Sequence, residues 1–273
     1  MKKATLLIAV VVVGVLLTSA AVTTKGALFA SASTTVHENI FDEVYLLNLK
    51  RRPDRLINFM NHYVKSDIAD VSVMKVDAVD GSTLDIDKVP LTDLARAELK
   101  EIENTGFRSK HYQLTKGAIG CYLSHVKIWQ HVLLNGHQVA LVFEDDAHIP
   151  PNFAYFLNKA IVQVPLDWDI VLLGYICNNC ESHTTYNEVN RFMLTHAYLI
   201  TSKAIERIVA TKSLFPITQQ IDAYLSELSD VLNIYTVKKS IVPQFKSRTD
   251  IQAPIRKSAT DTYSRMRIDR QVK

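Results

Sequence analysis

The sequence predicts an α/β fold: a mainly parallel sheet with helices on both faces. Three observations predict it. Continuous apolar runs of strand length, "VYLLNL" (44–49), "VALVF" (139–143) and "WDIVLLGY" (168–175), suit strands buried on both sides. Segments with helical spacing of apolar residues alternate with those runs, as crossover helices between parallel strands would. No linker after residue 40 divides the chain, and a composition of 48% hydrophobic and 22% charged residues is ordinary for a globular domain.

The elements follow in order. After the first strand, Pro53 suits a first helical turn, and Leu56, Phe59, Met60 and Tyr63 recur at helical spacing. "VSVMKV" (71–76) alternates and reads as a second strand, "VDG" (79–81) as a turn, and "LTDLARAELKEIE" (91–103) as a charged surface helix. Thr115 can cap a long helix carrying Ile119, Leu123, Val126 and Leu133 on one stripe, widened by Tyr122, Trp129 and Val132; Asn135-Gly136 ends it. Beyond the 139–143 strand come a helix, "FAYFLNKAIVQV" (153–164), the 168–175 strand, a strand-like "HAYLIT" (196–201), a helix from Lys203 and a late strand, "NIYTVKK" (233–239).

Both ends of the chain read as outside this domain. Met1-Lys2-Lys3 precedes 19 residues (4–22) without a charge, just long enough for a bilayer-spanning helix. Residues 1–24 are therefore expected to be a signal-anchor, or a signal peptide cleaved near Thr18–Ala20. The run exceeds the usual h-region, which favours the anchor, and the two lysines would stay cytoplasmic. Residues 25–40, small and polar, read as a stem, 41–250 as the folded domain and 251–273 as a basic tail with six Lys/Arg and two Asp from Arg256 on. The net charge is only +3, so no nucleic-acid partner is expected. Three cysteines make no disulfide framework; Cys177 and Cys180 read as a local disulfide or two free thiols, and Cys121 as core.

Two places could carry chemistry, both at carboxyl ends of strands, where open α/β sheets bind ligands. Lys50, Arg51, Arg52 and Arg55 gather at the start of a helix, a setting that favours phosphate; the plainer reading is a charged loop paired to Asp54. In "LVFEDDAHIPP" (141–151), three adjacent carboxylates repel one another unless a cation lies between them. Hard divalent ions such as Mg²⁺ or Mn²⁺ take oxygen ligands. Strand parity would put Glu144 and Asp146 on one face, with His148 following and Asp145 diverging; the plainer reading is a solvated acidic turn. Together the two places suit a nucleoside diphosphate with a bridging cation. Ser124 and His125 are adjacent on a helix and point about 100° apart, so they are no catalytic dyad, and His125 is expected to be buried and hydrogen-bonded.

"VYLLNLKRRPDRLINF", "GAIGCYLSHVKIWQHV", "LVFEDDAHIPPNF", "WDIVLLG" and "THAYLITSKAIERIV" occur in that order. This pattern, over residues 41 to 225, resembles glycosyltransferase family 25, the group of bacterial lipooligosaccharide and animal collagen galactosyltransferases. The resemblance implies a GT-A-like, Rossmann-type domain. It also implies inverting transfer of a hexose, commonly galactose, from a UDP-sugar to a hydroxyl of a glycan or glycoprotein. Glu144 and Asp146 would hold Mn²⁺ or Mg²⁺. Asn48, Arg52, Asp54 and Arg55 match the nucleotide-side motif, and Ser124 and His125 the "LSH" element near the donor. An inverting transfer needs a base; Asp222 in "QQIDAYL" is the first choice, with Asp145 and Asp169 behind it.

The stretch after residue 242 matches the family only loosely. An anchored domain needs nucleotide sugars in its own compartment, which points to a type II membrane protein facing the Golgi or ER lumen, or a secreted form after cleavage. The alternative is a catalytically inactive carbohydrate- or nucleotide-binding protein on the same fold. A two-metal phosphodiesterase would need more His and Asp ligands at separate strand ends than the sequence offers.

Overall fold

The computed structural model describes residues 40–245 and 248–255. The expected anchor or signal segment, most of the stem and nearly all of the basic tail lie outside the described residues. No helix among the described residues is long and apolar enough to cross a membrane.

Six strands form one sheet: β1 (Glu43–Asn48), β2 (Val73–Asp77), β3 (Val139–Glu144), β4 (Ile170–Ser182), β5 (Tyr186–Thr201) and β6 (Ile234–Val237), in the order β2-β1-β3-β5-β4-β6. The pairs β1–β2, β1–β3 and β4–β6 are parallel. β5 runs antiparallel to β3, β4 and β6. The sheet is therefore mixed: five strands run one way, as a mainly parallel sheet would, and β5 alone runs against them. The reason is a long hairpin. β4 and β5 extend well past the apolar runs 168–175 and 196–201 into a polar ribbon, and that ribbon returns the chain beside its predecessor with no crossover helix.

Among the described residues six α-helices flank the sheet: α1 (Pro53–Tyr63), α2 (Asp93–Thr105), α3 (Lys116–Asn135), α4 (Phe153–Ile161), α5 (Ser202–Ala210) and α6 (Ile221–Glu227). Pro53 opens α1, and Thr115 caps α3 by accepting a hydrogen bond from the Ala118 N–H (2.9 Å), a contact type worth about 1 kcal/mol. Gly136 ends α3 at a φ of 72°, a left-handed cap that glycine adopts without strain.

Alternation along the central strands divides the core in two. Tyr45, Leu47, Ala140, Val142, Ile170 and Leu172 pack beneath α3 with Ile119, Tyr122, Trp129 and Val132. Val44, Leu46, Leu141, Phe143, Val171 and Leu173 pack on the opposite face with Phe59 and Tyr63 of α1 and Phe153 and Leu157 of α4. These strands are buried on both sides, which is why they read as unbroken apolar runs.

Candidate active site

β1 and β3 end side by side, with Leu47 paired to Glu144, so the basic loop and the acidic triplet leave the sheet at the same edge. The parity that divides the core also divides the carboxylates. Glu144 continues the Ala140–Val142 face and meets α3: its Oε1 accepts from Thr195 Oγ1 (2.9 Å) and lies 3.3 Å from His125 Nε2. His125 is fully buried, and its Nδ1 lies 2.9 Å from the Tyr198 hydroxyl, which also accepts from Trp129 Nε1 (3.2 Å). A polar chain thus crosses the core beneath α3 and ends at Glu144.

Asp145 turns to the other face, toward α1. It accepts from Asn48 Nδ2 (2.7 Å) and Arg55 Nη1 (3.0 Å). Asp146 does not rejoin Glu144. The Ala147 N–H donates to the Glu144 carbonyl (3.0 Å), closing a turn directly after β3, so strand alternation stops there. Asp146 Oδ2 accepts from Gln244 Nε2 (3.1 Å) and faces Arg55 Nη1 at 3.5 Å, while Asp146 Oδ1 is buried with no hydrogen-bond partner among the described residues. Of the triplet, Glu144 and Asp145 line the cleft.

The same cleft is lined by Leu47, Leu49, Arg51 and Arg55 from the first strand and its loop, by Ala78 to Gly81, by Gly117, Cys121 and Ser124 of α3, and by Asp250 and Ile251. It encloses about 490 Å³ out to its open mouth. Ser124 fixes one wall: its Oγ accepts from the Val79 N–H (2.8 Å) and donates to the Gly120 carbonyl (2.6 Å). Ser124 and His125 make no contact as a dyad, in keeping with their divergence on the helix. Cys121 packs against the core but is only half-buried and also lines the cleft, with its sulfur, His125 and the Glu144 carboxylate within 4.8 Å of one another.

The cations are already engaged. Arg52 pairs with Asp54 through Nη2 (2.8 Å), as the plainer sequence reading has it, and also with Asp250. Arg51 bridges Asp80 (2.5 Å) and Asp250 (2.6 Å). Asp250 belongs to a strap, residues 248–255, which Arg108 holds through Nε to the Ala253 carbonyl (2.7 Å) and through its N–H to the Pro254 carbonyl (2.8 Å). Sequence reasoning missed this carboxylate because it sits in the stretch where the family pattern fades.

Asp222 lies at the first turn of α6, half-buried. Its Oδ2 accepts from the Leu194 N–H (3.2 Å) and its Oδ1 from the Ala223 N–H (2.8 Å). Leu194 adopts a φ of 78°, an unusual conformation for a branched residue, at the point where the β4–β5 ribbon leaves the sheet. Asp169, by contrast, precedes β4, at the sheet edge opposite the cleft. There it accepts from Arg207 Nη1 (2.6 Å) and the Asn233 N–H (2.9 Å), a structural pin rather than a base.

Charge crowding shows in the titration of these groups. Burial and the Glu144 charge push Asp146 up to about 7, against the opposing pull of Arg55. Burial raises Asp145, partly offset by Asn48 and Arg55. Burial also raises Asp222 despite its two backbone donors. For Glu144 burial is outweighed by the His125 hydrogen bond, the His125 and His196 charges and Thr195, which hold it below its ordinary value. An orphaned carboxylate oxygen and three carboxylates against one arginine suit a cation in this corner.

A strand-end cleft lined by arginines paired with carboxylates agrees with the relationship found by comparison. The family model described as "Glycosyltransferase family 25 (LPS biosynthesis protein)" matches residues 41–225, and the chain belongs to that family. Among its relatives is the mouse "Inactive glycosyltransferase 25 family member 3", 28% identical over 70% of this chain and 32% of that protein. The human protein of that name is 34% identical over 53% of this chain and 23% of its own length. Human "Procollagen galactosyltransferase 2" is 32% identical over 49% of this chain and 21% of its own length. The matches therefore span a third or less of these relatives. A solved structure, A197 from STIV, aligns over 80% of this chain at a TM-score of 0.37 and 12% identity, too distant to bear on function.

Proposed function

We propose that the cleft binds a UDP-sugar, with galactose the first candidate, and that the domain transfers the hexose with inversion to a hydroxyl of a glycan or glycoprotein. The observation that carries this reading is the convergence of Arg51, Arg52 and Arg55 with Glu144, Asp145 and Asp146 at one sheet edge. Arginine forks match diphosphate oxygens, and the long α3 presents its first turn, at Gly117, to the same space. Asn48 holds Asp145 and Ser124 holds the 78–81 loop, so both walls are set before the donor arrives. Mn²⁺ or Mg²⁺ held by Glu144 and Asp145, which line the cleft, with the unpartnered Asp146 Oδ1 as a further ligand, would supply positive charge for the departing diphosphate.

Asp222 is the proposed base. Its raised titration suits a group that must take a proton from an attacking hydroxyl near neutral pH, and its two backbone N–H donors fix its orientation. The domain would lie on the lumenal side of a secretory-pathway membrane, held by residues 1–24. Release of UDP from a panel of UDP-sugars, with and without Mn²⁺, tests the reading. It predicts metal-dependent release from one hexose donor above the others. Binding of UDP without release from any donor would favour the second reading, an inactive nucleotide-binding protein. The names of the mouse and human relatives give that reading its support.

A further inference from the structure

The tip of the β4–β5 ribbon, outside the cleft, holds a second arrangement of ligand atoms. Glu181 and Glu188 are direct cross-strand partners. Like charges opposite one another in an antiparallel pair are destabilising, so native ribbons place something cationic between them. Lys238, which reaches this ribbon, donates instead to Ser182 Oγ (2.5 Å) and Asn187 Oδ1 (3.0 Å). What faces the two carboxylates is His183. Its Nε2 lies 3.8 Å from Glu188 Oε2 and 4.0 Å from Glu181 Oε1. Both distances exceed a hydrogen bond, and that nitrogen is shielded from solvent with no hydrogen-bond partner among the described residues.

The imidazole is held in place. It stacks on Tyr186 at 4.5 Å and 19°, and the His183 N–H closes the turn on the Tyr186 carbonyl (3.0 Å). The three ligand atoms lie within 4.8 Å of one another. Around a tetrahedral zinc ion with bonds of ~2.0–2.1 Å, neighbouring nitrogen and oxygen ligands stand about 3.3 Å apart. The two imidazole–carboxylate spacings, 3.8 and 4.0 Å, exceed that by less than 1 Å, and both glutamates are exposed.

We propose that Glu181, His183 and Glu188 form a binding site for a zinc-class divalent cation that staples the ribbon tip. One imidazole and two carboxylates suit Zn²⁺ better than Mg²⁺, which prefers an all-oxygen octahedron. The fourth position is open to water. The site shares no residue with the donor cleft and stands or falls apart from it.

Hydrogen exchange of the full-length protein in detergent, with ZnCl₂ as the probe, tests this. Zn²⁺ is expected to slow amide exchange in the 180–190 segment at least tenfold, whereas Mg²⁺ at the same concentration does not. His183→Ala and Glu188→Gln each remove the effect, while Cys121→Ser, which alters the cleft cluster, leaves it intact. Melting in EDTA checks that both ribbon variants fold as the wild type does. No Zn²⁺-dependent protection of the segment, or protection that survives His183→Ala, would overturn the proposal.

Discussion

Folding buries Asp146 beside Glu144, and ionising it there is costly enough to lift its titration to about 7. Unfolded, the same carboxyl titrates near 4. Between those values the native state retains a proton that the unfolded chain has lost, so this group makes the metal-free protein less stable as pH rises from about 4 to about 7. A divalent cation needs the ionised form. Its affinity should therefore climb through neutral pH, and Asp146→Asn should flatten that climb in a calorimetric Mn²⁺ titration at several pH values. An equal climb in the variant would remove Asp146 from the cation site. For Asp222→Asn, transfer should fall by about 10²- to 10⁴-fold, the usual contribution of a general base, while UDP affinity stays within twofold. A comparable loss of UDP affinity would make Asp222 part of the donor site instead. The sequence shows both residues, and it also puts Asn48 and Arg55 in one site. It cannot show that Asp146 leaves the face of Glu144, because that depends on a turn closing directly after the strand.

Elements, not single side chains, set the shape of the cleft. The 78–81 loop lies directly on α3: a Cβ on Gly120 would stand 2.5 Å from the Val79 carbonyl oxygen and 2.7 Å from the Gly81 nitrogen. Gly120→Ala must push the two apart. It should cost about 1–3 kcal/mol, read as a lowered melting temperature, and weaken UDP binding with it. An unchanged melting temperature would mean the loop is free to retreat. The 248–255 strap acts in the opposite sense. The Asp250 carboxylate sits on Arg51 and Arg52, the cations a diphosphate would use, so Asp250→Ala should strengthen UDP binding severalfold; weaker binding would show that Asp250 instead orders the arginine pair. Long amphipathic or doubly buried elements such as α3 and β3 are legible in the sequence, caps included. Two others are not. The outer β4–β5 ribbon is mostly polar, and its buried Val189 and Phe192 stand three residues apart across register shifts, so no period of two can be read; α6 is seven residues long with no side-chain cap.

At the scale of the molecule, one sheet edge collects what three distant stretches of chain supply: the loop after β1, the acidic triplet after β3 and the strap. α/β character follows from the apolar runs, but strand direction does not. A hairpin and a crossover leave the same apolar strands behind, and only the connection tells them apart. Nothing in that architecture requires a nucleotide; the claim rests on charge placed where a diphosphate and its cation would lie. Calorimetric titration of UDP into the wild-type protein, with and without Mn²⁺, tests it most directly. The account predicts saturable one-to-one binding that Mn²⁺ tightens at least tenfold. UDP that fails to bind, or that binds equally well with and without the metal, would contradict it.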